Sequence, residues 1–453
     1  MHRLTTFVLL LVFCVTIKAE KFEKVGMIDI REFSKLTPRL TQLLQSVDPK
    51  KKSFPVIASA AIMFNPEMRG FDFKDSRTQI FYFIPKGRQC NSLDWCILVN
   101  RESGYPLPEQ VTVMGKTAYT RPIDTRALIS NSVELLNSID RAPSAPDTYA
   151  DVALQFQTAA ISRQVKGGTT ELLLWLKTLL TNGDVTATDT AQFTRHNAGI
   201  EAILAQVTTL SATINVRHDR MVINMEMVPE SKSHLAEFIK LQSASENRLP
   251  GLVSTKNISA TFNITPFEPA REALAHFLTN IESGLTQPEQ KDYLRLMQSM
   301  ATNSNGQVTY FMKKAEDGRT TAFARFYFDR DRDAANVNQT MKSIPRYVAG
   351  KDGLVQIYSI PKSRYTLFGN VHGKYFDFVA GQLTSDSAMK LLKSVPANIP
   401  DLSRYGMFYG NVNFNNRQYL SVQLGCTGKK VSCRLTLFAA ILRKFLPENI
   451  END

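Results

Sequence analysis

The chain predicts an α+β fold: antiparallel sheets built from repeated hairpin–helix–strand units, with helices on one face, plus two inserted helical pairs. Three observations predict it. First, a short amphipathic stretch recurs four times, over residues 124–138, 233–242, 334–344 and 385–395, and a proline follows each one: Pro143, Pro250, Pro345 and Pro396. Second, an alternating strand opens 8 to 12 residues after each proline, near Val152, Ile258, Val355 and Phe408. Third, hairpin signals stand between these landmarks, with Gly, Asp and His at the turns.

The elements follow in order. Residues 28–47 predict a helix, because Leu36, Leu40, Leu43 and Leu44 stand at helical spacing, and Asp48-Pro49 ends it. Residues 54–64 and 78–84 predict strands. The second, QIFYFI, is apolar on both faces and belongs in the middle of its sheet. Residues 92–99 and 110–119 add two more strands. Leu128, Val133, Leu135 and Leu136 place a helix over 124–138. Val152, Leu154 and Phe156 alternate with Ala153, Gln155 and Gln157, a half-buried strand.

Residues 171–180 and 189–207 read as the first helical pair, broken before by Gly167-Gly168 and between by Asn182-Gly183. Residues 268–284 and 287–301 read as the second, with Pro269 and Pro288 in their first turns, where proline is tolerated. Hairpins are predicted over 212–227 about His218-Asp219, over 308–328 about Glu316-Asp317-Gly318, and over 365–379 about His372-Gly373. These elements divide the chain into a leader (1–19), an N-terminal α+β domain (20–185), a middle repeat (186–285) and C-terminal repeats (286–453).

The leader sets the compartment. His2 and Arg3 precede an apolar run from Phe7 to Ile17, and Ala19 is a small residue at a plausible cut. That is a secretory signal peptide cleaved after Ala19, and it makes the mature protein secreted or periplasmic. No later apolar run reaches the roughly 18 residues of a membrane helix, so no transmembrane segment is expected after cleavage.

Cysteine usage agrees with export. Cys14 leaves with the leader, and the four that remain form two local pairs, Cys90 with Cys96 and Cys426 with Cys433. An even count after export predicts two disulfides. Loss of Arg3 and Lys18 lowers the formal net charge from +12 to +10. The basic residues are dispersed, and Lys50-Lys51-Lys52 is the only triple run. Export and dispersion together exclude ordinary nucleic-acid work.

Local motifs give no catalytic, cofactor or metal residues. No two histidines have the i, i+4 spacing of a helical zinc site. Gly-x-Ser-x-Gly is absent, and in Ser359-Ile-Pro-Lys362 the proline prevents the helical turn that an acylating Ser-x-x-Lys needs. Asp329-Arg-Asp-Arg-Asp333 opens like a calcium loop, but Ala334 and Thr340 stand where glycine and a bidentate acid belong. A strand end with an aspartate N-cap is the expected structure there.

The function expected is therefore an exported, non-catalytic binding or scaffold module of the cell envelope, whose partner is an envelope protein, polymer or lipid. Two alternatives stay open. One is a carrier holding a hydrophobic ligand between the helical pairs and the sheets, suggested by Met221, Met225 and Met227 and by the apolar stretch 172–180. The other is an envelope hydrolase whose carboxylates no local motif reveals.

Overall fold

The computed structural model describes residues 21–46, 70–73, 75–113, 116–145, 149–166, 168, 202–243, 258–269, 271–272, 279, 288–314, 319–344, 348–349, 354–360, 365–394, 407–414 and 417–441. Over these residues the protein is α+β, mostly antiparallel sheet with helices packed on it. The expected leader, the strand at 54–64 and nearly all of the first helical pair lie outside the described residues, as do Pro250, Pro345 and Pro396.

The elements begin with β1 (Phe22–Ile30), α1 (Phe33–Gln45), β2 (Phe71–Asp72), β3 (Thr78–Pro85), β4 (Asp94–Arg101), β5 (Gln110–Val113), β6 (Lys116–Ile123) and β7 (Arg126–Ser130). Next come α2 (Val133–Ser138), β8 (Val152–Phe156), α3 (Thr158–Gln164), β9 (Val207–Val216), β10 (Arg220–Pro229), α4 (His234–Ser243) and β11 (Ile258–Asn263). Then follow α5 (Pro288–Asn303), β12 (Gln307–Lys314), β13 (Thr320–Tyr327), α6 (Asp331–Lys342), β14 (Val348–Ala349) and β15 (Leu354–Ile360). The last are β16 (Tyr365–His372), β17 (Tyr375–Gly381), α7 (Ser385–Ser394), β18 (Phe408–Phe414), β19 (Arg417–Thr427) and β20 (Lys430–Phe438).

The chain gathers into two compact units, one of residues 1–42, 50–216 and 227–230, the other of residues 43–49, 217–226 and 231–453. In the first unit the strands pair antiparallel in the order β5-β6-β7-β4-β3-β1-β8-β9. In the second the order is β14-β15-β16-β17-β13-β12-β11-β18-β19-β20, again antiparallel throughout.

The two orders share one plan. An opening strand (β1 or β11) is followed, across a helix, by a hairpin whose first arm pairs with it (β3–β4 or β12–β13). A second hairpin (β6–β7 or β16–β17) lays its second arm against the first hairpin. A short helix (α2 or α7) comes next. The strand after it, β8 or β18, returns to the other edge of the opening strand and pairs with its own successor.

Registers match as well as order. Asp29 lies opposite Gln79 and Asn263 lies opposite Gln307, and in both units the glutamine Nε2 donates to the partner's Oδ1, at 3.4 and 2.9 Å. Around these anchors the sequence repeats: Gln79-Ile-Phe-Tyr-Phe83 in β3 and Gln307-Val-Thr-Tyr-Phe311 in β12.

Helices cover both faces of each sheet, which corrects the expectation of one roofed face. In the first unit Leu135 and Leu136 of α2 pack with Phe81 and Phe83, while Ile161 of α3 packs with Tyr82 and Ile84. Those β3 residues alternate, so the two clusters lie on opposite faces. In the second unit α5 and α6 cover Phe326, Phe376 and Phe378, and α7 covers Phe323, Phe368 and Val379. In the first unit the cause is the composition of β3, which is apolar on both faces, and in the second apolar side chains of β13, β16 and β17 stand on each face. Each fully buried large side chain contributes about 1.5–3 kcal/mol, so neither face is left bare.

Two expected helices begin otherwise. The amino-terminal part of 28–47 continues β1, because residues 22–30 are held between β3 and β8, and the helix starts only at Phe33. Residues 124–138 hold β7 and then the six-residue α2. Asp124, at φ 51°, makes the turn from β6, and Leu128 and Ile129 are buried on alternate faces. Short apolar runs are ambiguous between strand and helix, and strand pairing decided here. The expected strand 110–119 is the arms β5 and β6. Of the second helical pair, α5 is present, and its partner is described only at 268–269, 271–272 and 279.

Candidate functional site

The candidate site is a groove in the first unit, between the amino-terminal half of β1 and the segment that leaves α2. Its position follows from local chemistry. The Asn131 Oδ1 accepts from the Trp95 N–H at 2.8 Å, and the Ser130 hydroxyl donates to the Trp95 carbonyl at 2.8 Å, which pins the end of β7 to β4. Ser132 then caps α2, its Oγ accepting from the Leu135 N–H at 3.2 Å. With Leu135 and Leu136 anchored in the core, residues 139–145 run across the sheet as a strap. Lys24 Nζ donates to the Ser144 carbonyl at 3.0 Å, Arg121 donates to the Ile139 carbonyl, and Ala142 and Ala145 pack on the core beneath.

The space under the strap is about 750 Å³, floored by Phe22, Phe83, Leu135 and Ile139. Lys21, Lys24, Glu134, Asp140 and Arg141 stand around it. A second hollow of about 400 Å³, along Lys24–Met27 and beside Gln155 and Gln157, shares Lys24 and Ser144 with the first. The result is an apolar floor with a rim of both signs. Lys21 and Glu134 approach to 3.7 Å, both largely exposed. Asp94, which stands opposite Phe83, has its carboxyl raised above the usual aspartate range, first by burial and then by the Glu134 carboxylate, with Arg88 opposing both. Val133 and Tyr149, at the two sequence ends of this region, are exposed large side chains, Tyr149 at 92%.

The expected disulfide residues do not pair; all four thiols are free. Cys96 lies in β4 within the Phe81 cluster, whereas Cys90 packs by Val165 in the cluster on the opposite face. In the β19–β20 hairpin Cys426 lies opposite Val431, and Cys433 lies opposite Leu424. The two cysteines are therefore diagonal neighbours, whose Cα atoms in a regular antiparallel pair are about 7–8 Å apart, beyond the usual Cα separation of a disulfide. Burial pushes the Cys96 thiol up to about 12 and the Cys426 thiol up to about 11.

The other sequence candidates also do not converge. Among the described residues no group of three or more His, Cys, Asp or Glu is placed to hold a metal. His218 and His234 are exposed and sit beside Asp219 and Glu237. At Asp329–Asp333 the helix begins earlier than expected: Arg330 is the N-cap residue, and its guanidinium holds Asp333 at 2.9 and 3.0 Å. Asn263 of an Asn-x-Thr triplet is buried against Gln307. No helix among the described residues is long and apolar enough to cross a membrane. No protein-family model, no curated protein and no solved structure matches the chain.

Sequence reasoning did not find the groove. Its signals were present in part: Ser130-Asn-Ser132 ahead of Leu135-Leu136 is a capping pattern, and Pro143 marks an irregular strap.

Proposed function

We propose that the chain is an exported, non-catalytic binding module of the cell envelope, which grips an envelope polymer or protein in the groove of its first unit. The groove carries this reading: a long apolar floor beneath a tethered strap, with rim charges engaged locally instead of aimed at one reacting atom. Apolar contact supplies affinity in such a site, and mixed rim charges supply orientation. The leader-like start and the net charge of +10 after its removal favour an anionic envelope setting.

The test is cosedimentation of the mature chain with sacculi and membranes from its host. Arg141→Glu reverses a rim charge alone, and Lys24→Glu reverses one and also removes the strap's tie to Ser144. We expect retention to fall about tenfold, the equivalent of about 1.4 kcal/mol, with circular dichroism unchanged. Unaltered retention in both variants would falsify the groove assignment.

A second reading, an envelope hydrolase, rests on one observation: Asp94 is raised first by burial and then by the Glu134 carboxylate, and a carboxyl raised in this way is suited to hold a proton as a general acid. Release of soluble products from the same fractions, lost in Asp94→Asn and in Glu134→Gln, would favour it. The carrier reading predicts a stoichiometric lipid in an organic extract of the purified chain.

A further inference from the structure

The second unit carries a polar row where the first carries apolar core. With Asp29–Gln79 and Asn263–Gln307 as common anchors, the pair two residues further along is Met27–Phe81 in the first unit and Thr261–Thr309 in the second. The next strand puts Cys96 opposite Phe81 and Arg325 opposite Thr309, and the one after it puts Ser130 and Asp377. The fold therefore does not demand polarity at these positions, since Met27, Phe81 and Cys96 fill them with buried apolar atoms. In the second unit Thr261 and Thr309 are 2% and 1% exposed, and neither hydroxyl has a hydrogen-bond partner.

The groups around this pair are already engaged with one another. Arg325 holds Asp377 through two bonds of 2.7 and 2.8 Å and lies 5.1 Å from the Tyr375 ring centroid. Ser259 donates to Asn411 at 2.6 Å on one side, and Gln307 donates to Asn263 on the other. On the far side of Thr261 the row continues through Tyr409 and Gln423, both half-buried, to Arg434, which is exposed.

We propose that this row, Thr261 and Thr309 with Tyr409 and the Arg325–Asp377 pair, is a binding site for a neutral, hydroxyl-rich ligand, a saccharide. Burying two hydroxyls unpartnered is destabilising, and the first unit shows the apolar alternative in the same register. A threonine hydroxyl both donates and accepts, the complement of a sugar hydroxyl. Arg325 and Asp377 neutralise each other, so the buried part of the row, from Tyr409 to Asp377, offers no net charge to an ion. Tyr409 supplies an apolar ring face with a polar tip. The threonines are sealed in this structure, and exposure along the row rises through Tyr409 and Gln423 to Arg434, so that side is the one from which a ligand enters.

The test is calorimetric titration of the whole chain with chitotriose, cellotriose and maltotriose. At least one binds, and Thr261→Val and Thr309→Val each weaken it about tenfold, the worth of one hydrogen bond made to a buried partner. Both variants keep or raise the melting temperature, because each removes an unpartnered hydroxyl. Thr261→Met, which installs the first unit's residue, abolishes binding in a folded protein. Lys24→Glu leaves it unchanged, which separates this site from the groove. The assignment is overturned if none of the three sugars binds, if the valine variants bind as the parent does, or if a high-resolution map shows only a bridging water between the threonine hydroxyls with sugar present.

Discussion

Removing the carboxylate at Asp377 tests how the second unit tolerates a buried charge. Asp377 is 1% exposed, and Arg325, on the neighbouring strand in direct register, keeps 24% of its side chain in contact with water. At 2.7–2.8 Å and an effective dielectric near 20, the mutual attraction is about 6 kcal/mol. Most of that offsets the desolvation of the two charges. Asp377→Asn keeps the shape and leaves the guanidinium without its counter-charge. For fully buried pairs such a loss costs about 3–5 kcal/mol. Arg325 retains some hydration, so we expect about 2–3 kcal/mol here. With a urea slope of about 2–3 kcal/mol per molar, the midpoint falls by about 1 M. The double variant Arg325→Met/Asp377→Leu removes both charges and is expected within about 1 kcal/mol of the parent. Urea unfolding followed by circular dichroism measures all three proteins. A single variant that unfolds with the parent, or a double variant less stable than the single, refutes the reasoning.

Further outcomes follow from the same structure. Gly306 has φ +84° and accepts from the Ile264 N–H at 3.1 Å, and a Cβ there overlaps the Ile264 carbonyl; Gly306→Ala should cost about 3 kcal/mol, read as a lower melting temperature. In the native chain at pH 8 iodoacetamide should spare Cys96, whose thiol is buried and pushed up to about 12, while non-reducing peptide mapping finds no Cys426–Cys433 link. Asp94 binds its proton more tightly when folded than when unfolded, so stability falls as pH rises from the ordinary aspartate value through the raised one; Asp94→Asn should be more stable than the parent at pH 7, with no advantage at pH 3, by thermal melts across that range.

Much of the sheet was legible before folding. The run Gln79–Ile84, apolar on both faces, is central as expected, held by β1 on one side and β4 on the other. The hairpins β12–β13 and β16–β17 form as expected, the second turning at Gly373. Other parts misled for physical reasons. Cysteine proximity in sequence says nothing about face or register, and Cys90 and Cys96 end on opposite faces. Residues 22–30 join the sheet because β3 and β8 supply partners that only the folded chain brings together. The groove depends on a strap held by Lys24 and Arg121 from distant strands, so no local window contained it.

Alone, the order of residues determined which segments are apolar on two faces, where hairpins turn, and which turns require glycine, because these are properties of neighbours along the chain. It also held the echo of QIFYF in QVTYF. The tertiary structure decided what those segments touch: that both faces are roofed, that the cysteines stay apart, and that one register is filled by Met27 and Phe81 in one unit and by Thr261 and Thr309 in the other. Face, register and burial arise from pairings between residues tens to more than a hundred positions apart, and strand alternation turns a slip of one residue into a change of face.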